Sequence, residues 1–312
     1  MSIFNNKKGA EREMGFGSKN YKQSVRFINQ DGSINIKRSG LRGLGNLDVY
    51  HWFINISFKV LVLVIIASYA LINLIFASIY YYVGPENFGG LENQDEMHKF
   101  MSLYFFSAQT LTTVGYGHVY PTGYMASIVS AVESLMGLMG FALATGLLYG
   151  RFSRPKADLL YSKNILISPY QNMTGLMFRI TNKMQYELIE CEASVTISYN
   201  DPETNKREFD LLKLEINRIN FLTLSWTIVH PIDDESPIKG WTLKDLNDRD
   251  TEVIILIKAI NDTASQNVYS RRSYKASEMI EKAKFKPLKQ EAGKKGNIVI
   301  SVNDIHEYDV VG

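Results

Sequence analysis

The chain has 312 residues, 46% of them hydrophobic, and its 34 Lys and Arg against 32 Asp and Glu leave a formal charge of +2. That length accommodates two folding units, and so small a net charge gives no sign of a nucleic-acid partner. A single cysteine, Cys191, excludes an intramolecular disulfide framework.

Residues 1–45 are rich in Gly, Asn, Lys and Arg, and the first fifty residues hold nine Lys or Arg against four Asp or Glu. No early apolar run or small-residue cleavage site marks a signal peptide. The segment reads as a cytoplasmic N-terminal arm, partly disordered, in which residues 25–28 and 34–36 are apolar enough to add edge strands. Residues 46–57 suit an interfacial helix: Asp48 can cap it, and Tyr50 and Trp52 suit a headgroup layer. From Val60 to Ile79 run twenty residues without a charge, enough to cross a hydrocarbon core of about 30 Å. Lys59 and the run Tyr80, Tyr81, Tyr82 sit at its two ends, so an outer helix is expected over 58–83. Gly84 to Lys99 is polar and carries Glu86, Glu92, Asp95 and Glu96. With basic flanks at both ends of the spanning region, the positive-inside rule places both termini in the cytoplasm of a multi-pass inner (plasma) membrane protein. The acidic loop then faces outward, where it can concentrate cations.

Phe100 to Leu111 is apolar but too short to span, which suggests a re-entrant pore helix over 100–112. It runs into Thr112, Thr113, Val114, Gly115, Tyr116 and Gly117. The stretch TVGYG is recognised as the loop of potassium-selective filters, in which backbone carbonyls replace the hydration shell of the ion. Here the carbonyls of Thr113, Val114, Gly115 and Tyr116, with the Thr113 hydroxyl, would form the potassium site where four chains meet on one axis. The glycines let the backbone turn without a Cβ penalty. An inner helix follows over 124–152, interrupted by one acid, Glu133, which needs a polar partner at that depth. Gly137, Gly140 and Gly146 offer packing or bending points. Arg151, Arg154 and Lys156 anchor the inner end and can meet anionic lipid headgroups. Residues 58–156 thus form a pore domain.

From residue 157 the pattern changes to period two. Ile189, Cys191, Ala193, Val195, Ile197 and Tyr199 alternate with polar residues, as in a half-buried strand. Residues 208–216 and 220–230 also read as strands, with Leu222, Leu224, Trp226 and Ile228 on one face. Residues 253–260 look like a central strand and 298–302 like another. Short strands with turn signals indicate a β-sandwich over 157–312.

Two spans, a re-entrant filter and a C-terminal β domain resemble the prokaryotic inward-rectifier potassium channel family. The stretches carrying the resemblance are GLLYGRFSRP at 146–155, WTIVHPIDDESP at 226–237 and RSY at 272–274. The resemblance covers roughly residues 25–305 and implies a homotetramer, an immunoglobulin-like cytoplasmic sandwich, a slide helix, and regulation by anionic lipid, with phosphoinositides inhibiting. It also assigns positions. Gln109 stands where relatives often carry a pore-helix glutamate, so Gln109 and Glu133 become filter supports. Phe141 stands where strong rectifiers place an acid that draws magnesium or polyamine blockers, which implies weak rectification. Tyr149 falls at the constriction of the inner helices. A Gly-x-x-Glu-Thr-like stretch of the family reads Ala259 to Ala264 here and lacks its glutamate. No cofactor and no enzymatic activity are implied. Two other functions compete on the residues alone: a non-selective cation channel with a β sensor domain, and a membrane-anchored binding module.

Overall fold

The computed structural model describes residues 15–16, 25–37, 49–153, 157–184, 186–292 and 298–311. It divides into two compact units, Gly40–Arg154 and a second made of Met1–Ser39 with Pro155–Gly312.

In the first unit, helix α1 covers Val49–Asn55. Residues 46–48 of the expected interfacial helix, Asp48 included, lie outside the described residues, and at its other end Ser57 serves the next element instead. The Ser57 hydroxyl accepts the amide of Val60 at 3.4 Å and so starts α2, Phe58–Val83. With 26 residues, α2 spans about 39 Å. Leu63, Ile66, Leu71 and Ile75 stand exposed along it. A helix apolar around its whole circumference requires lipid or other subunits as its surroundings. Its buried side is Asn73, Phe76, Ala77 and Tyr80, a stripe at helical spacing. Strand β1 (Phe88–Gly89) pairs with β2 (Tyr120–Pro121) across the outer loop.

Helix α3 runs Glu96–Leu111 and begins four residues before the expected Phe100. Composition reads 95–99 as loop, but Asp95 accepts the amide of His98 at 3.0 Å and Glu96 pairs with Lys99 at 2.8 Å. A capped first turn with an acid at the helix N-terminus is stable even where it is polar. Part of the acidic loop is therefore spent on helix structure. At 16 residues, α3 reaches only about 24 Å and still falls short of a span. It ends at Leu111, because Thr112 is its cap. Helix α4, Tyr124–Phe152, has 29 residues and only Glu133 and Arg151 as charged residues.

The second unit is a β-sandwich. Its strands are β3 (Leu159–Tyr161), β4 (Ile165–Tyr170), β5 (Met173–Asn182), β6 (Leu188–Asn200), β7 (Arg207–Leu212), β8 (Arg218–Phe221), β9 (Trp226–Ile232), β10 (Glu252–Asn261), β11 (Gln266–Lys275) and β12 (Met279–Glu281). One sheet runs β11–β10–β6–β7, with β8 also on β6; the other runs β12–β4–β5–β3, with β9 also on β5. Phe178, Ile180, Trp226 and Ile228 of one sheet meet Cys191, Val195, Ile197, Val253, Ile255 and Ile257 of the other in one core. Strand β10 is paired on both sides; Val253, Ile255, Ile257 and Ala259 face the inter-sheet core, and Ile254 on the opposite face is buried with Phe27 and Phe209, which accounts for its nearly continuous apolar sequence.

Three expectations need correction. The alternation along β6 breaks at Glu190, whose φ is +49°, and the register with β10 shifts between Lys258 and Ile260. That bulge inverts the phase, so Leu188 is buried and Ile189 only half-buried. The single strand expected over 220–230 is two strands in different sheets: β8 ends at Phe221 and pairs with β6, and β9 begins at Trp226 and pairs with β5. The strand expected over 298–302 is Ile298–Ile300, in a small ribbon with Gln290–Ala292.

Residues 25–37 of the basic arm dock on this sandwich as a turn closed by one bridge, Ile28 to Ile34. The Glu252 carboxylate, fully buried, accepts the amide of Phe27 at 3.1 and 3.0 Å. The Ser273 hydroxyl donates to the Ile28 carbonyl at 2.5 Å, and Arg26 pairs with Glu278. The Phe27 ring packs on Phe209 and Ile254 beneath the buried Arg207 guanidinium, which is held by Asp250 at 2.9 Å and by Ser198 at 2.6 Å. A buried cation and a buried carboxylate persist because each is multiply hydrogen-bonded.

On β9, His230 is buried with Nδ1 at 2.7 Å from the Lys213 carbonyl and Nε2 at 2.8 Å from the Ser236 hydroxyl. A carbonyl only accepts, so Nδ1 carries the proton and Nε2 accepts from Ser236, which satisfies the neutral ring. Burial accordingly holds His230 below its ordinary 6.5. The unfolded chain then binds this proton more readily than the folded one. Stability contributed here is complete above about pH 6.5 and declines as pH falls below it. The melting temperature of the tryptophan-fluorescence transition should drop between about pH 7 and pH 5.5, with a shallower slope in His230→Gln, where His306, also lowered by burial, still contributes. Equal slopes in parent and variant would show that His230 does not titrate with unfolding.

Candidate functional site

The end of α3 and the six residues after it form one hydrogen-bonded construction. The Thr112 hydroxyl donates to the Ala108 carbonyl at 2.7 Å and closes the helix. Thr113 N donates to Thr110 O at 3.0 Å, Val114 N to Gln109 O at 2.9 Å, and Gly115 N to the same oxygen at 3.4 Å. Thr113, Gly115 and Gly117 have φ of +58°, +56° and +79°, while Val114 and Tyr116 between them do not. In an extended strand successive carbonyls alternate sides. Alternating the sign of φ turns every second peptide plane over, so successive carbonyls are brought to one side. Glycine adopts this conformation freely; for the β-branched Thr113 it costs about 1–2 kcal/mol. An ideal Cβ on Gly115 or Gly117 would meet nothing within 4 Å in this chain, so conformation and not crowding calls for glycine here. All of 112–118 is exposed within the single chain, Tyr116 at 71%.

The two residues expected behind this loop are not brought together. Gln109 supports it with its backbone carbonyl, and its side-chain amide makes no hydrogen bond among the described residues. Glu133 is buried completely and receives the hydroxyls of Tyr80 from α2 and Ser107 from α3. Ser107 Oγ also lies 3.0 Å from Asn73 Oδ1, and Asn73 Nδ2 donates to Tyr69 O at 2.9 Å. Tyr80, Ser107 and Asn73 were not singled out by motif. Their signal in the sequence is weak but real: Asn73 is the lone amide within an apolar span, and such groups seek partners. Around them Tyr80, Phe88 and Phe106 form a triangle of edge-to-face rings with centroids 5.2–5.5 Å apart.

Farther along α4, Phe141 and Tyr149 are each 74% exposed. Eight residues is a little over two turns, so both can share one broad face. Arg151 is half-buried and donates Nη1 to the Ile56 carbonyl at 2.6 Å, which ties the end of α4 to the chain between α1 and α2. Arg154 and Lys156 lie outside the described residues. Of the four inner-helix glycines, Gly137 is the one pressed against backbone: a Cβ there would lie 1.9 Å from Leu111 O, whereas on Gly150 it would lie 3.1 Å from the Tyr50 hydroxyl, and Gly140 and Gly146 meet nothing within 4 Å. Gly137→Ala should therefore push the end of α3 aside, an overpacking cost of about 1–3 kcal/mol. A lowered melting temperature together with lost rubidium uptake into liposomes is the expected outcome, and parent-like uptake would place the contact elsewhere.

Comparison with known proteins covers both units. The family model described as the inward rectifier potassium channel C-terminal domain matches residues 159–311, and one described as an ion channel matches residues 68–154. The inward rectifier potassium channel Kirbac3.1 of Paramagnetospirillum magnetotacticum is 34% identical over 268 residues, which cover 85% of this chain and 89% of that protein. The ATP-sensitive inward rectifier potassium channel 12 of Mus musculus and that of Bos taurus are each 25% identical over 290 residues, covering 84% of this chain and 67% of theirs. With a filter loop, two apolar helices of membrane length, a β-sandwich and these relatives, the chain belongs to the prokaryotic inward-rectifier potassium channel family, whose members are ion channels and not enzymes.

Proposed function

We propose that four copies of this chain surround one axis and conduct potassium through Thr113 to Gly117. The supporting observation is the alternation of φ along the loop, which suits the carbonyls of Thr113, Val114, Gly115 and Tyr116 to a common direction. Potassium, the permeant ion of the family, would exchange its water for those oxygens and for the Thr113 hydroxyl. A tetramer accounts for two further features: the exposed filter and the exposed apolar length of both spanning helices. Residues 58–156 then form the pore domain, 157–312 the regulatory sandwich and 1–45 a cytoplasmic arm, with both termini inside. The lipid contact falls to Arg151, Arg154 and Lys156 near the inner end of α4, where anionic headgroups, phosphoinositides among them, meet basic side chains.

Rubidium uptake into liposomes, competed by potassium and not by sodium, tests this reading. Gly115→Ala should abolish uptake while leaving the tetramer intact, because alanine resists the positive φ. Parent protein that takes up rubidium equally in excess sodium and in excess potassium would support the non-selective alternative.

Phe141 offers no charge to a cationic blocker, which favours weak rectification. In planar bilayers at symmetric potassium, cytoplasmic spermine should block the parent weakly. Phe141→Asp should raise spermine affinity at least about tenfold through a carboxylate in a low-dielectric cavity. Tyr149→Ala should raise open probability by widening the crossing of the inner helices. Steep block in the parent, or none in the aspartate variant, would remove position 141 from the ion path.

A further inference from the structure

We propose that Tyr80 and Ser107 are positioning residues for ion selectivity, acting through the buried carboxylate of Glu133 to fix where α3, and with it the filter, stands. The proposal rests on the pore reading above and adds a part to it that the filter motif does not contain.

The three groups come from three helices: Tyr80 from α2, Ser107 from α3 and Glu133 from α4. All three side chains are fully buried, and so is Asn73, which extends the cluster back to α2. Phe76, Phe88, Leu103 and Phe106 pack in the core around Tyr80, and none of the four polar side chains is exposed to solvent. A carboxylate in such a place is retained only while its donors are present, and no solvent can substitute for a lost one. The hydroxyls are therefore strong constraints on where the three helices stand.

The constraint reaches the filter through a short path. Ser107 lies two residues before Gln109, whose carbonyl accepts the amides of Val114 and Gly115. Glu133 meets Ser107, and four residues farther on in both helices Gly137 meets the Leu111 carbonyl. Two contacts one turn apart define both the depth and the rotation of α3 against α4. A slip of one residue would move α3 by about 1.5 Å and turn it by about 100°, far more than a ring of coordinating oxygens tolerates. Gln109, in the place where relatives carry an acid, contributes no side-chain hydrogen bond among the described residues. The carboxylate that steadies α3 thus comes from the inner helix and not from α3 itself.

The test uses the full-length protein in planar bilayers, with potassium-to-sodium permeability ratios read from reversal potentials, and size-exclusion chromatography to confirm assembly. Tyr80→Phe and Ser107→Ala each remove one donor at nearly constant shape. Each should lower the ratio by about tenfold or more, the scale of one hydrogen bond to a charged group. Because both act on one carboxylate, Tyr80→Phe in a Glu133→Gln background should change the ratio by less than about threefold further. Leu91→Ala, which alters packing in the same core and removes no hydroxyl, should lower the melting temperature and leave the ratio unchanged. Parent-like ratios in both single variants, or independent effects of Tyr80→Phe and Glu133→Gln, would overturn the proposal. A parent that does not discriminate potassium from sodium would instead sink the pore reading, and the proposal with it.

Discussion

The carbonyl of Gln109 accepts two amides of the loop that follows it, those of Val114 and Gly115, and the course of the loop depends on that oxygen. The loop has no strand partner and no side-chain core of its own in this chain. Non-helical backbone at membrane depth is tolerated only where it is buried in protein or lines a water-filled path, and each amide left unpaired in the hydrocarbon costs several kcal/mol. The end of a re-entrant helix is the nearest source of free carbonyls, since the last four of any helix lack intrahelical donors. The same feature gives the helix end a partial negative charge where a cation would pass.

Holding such a loop has costs, and the structure shows where they are met. Thr113 occupies a conformation that disfavours β-branched residues. Glu133 places a carboxylate among aromatic rings. Neither would persist in a unit free to relax. Thr113 is held by the amide of its own residue on Thr110 O and by Val114 on Gln109 O; Glu133 is held by two hydroxyls. Gly137 allows the Leu111 carbonyl to lie against α4, closer than any other residue would permit. The strained Thr113 and the buried Glu133 are thus each held by hydrogen bonds from neighbouring residues or segments.

The cytoplasmic unit is stabilised by different means. Its core is a conventional two-sheet interface, but the N-terminal turn is fixed to it mainly by charge. Glu252 accepts backbone amides, Arg207 lies over the Phe27 ring, and Lys275 reaches both Asp250, at 3.0 Å, and the Val25 carbonyl, at 3.1 Å. A network of this kind, buried and multiply bonded, specifies one arrangement more sharply than an apolar patch does. Phe27 and Ile28 supply a small apolar anchor under these charges.

Length, absence of charge and the glycine-bearing loop are local properties, and they determined the two spans, the re-entrant segment between them and the loop itself. Period-two alternation likewise determined that 157–312 is built of strands. What tertiary structure alone decided are the pairings. Which sheet each strand joins depends on partners far away in sequence, so one run of apolar residues at 220–230 became two strands in two sheets, and a bulge at Glu190 reversed the face of Leu188. In the spanning unit, Tyr80 reads as one of three tyrosines at an interface and Ser107 as a small residue in a short helix. Only when three helices pack does each find Glu133. The sequence shows that a buried acid needs donors; which donors it receives is settled by distances between segments, and no local pattern encodes those.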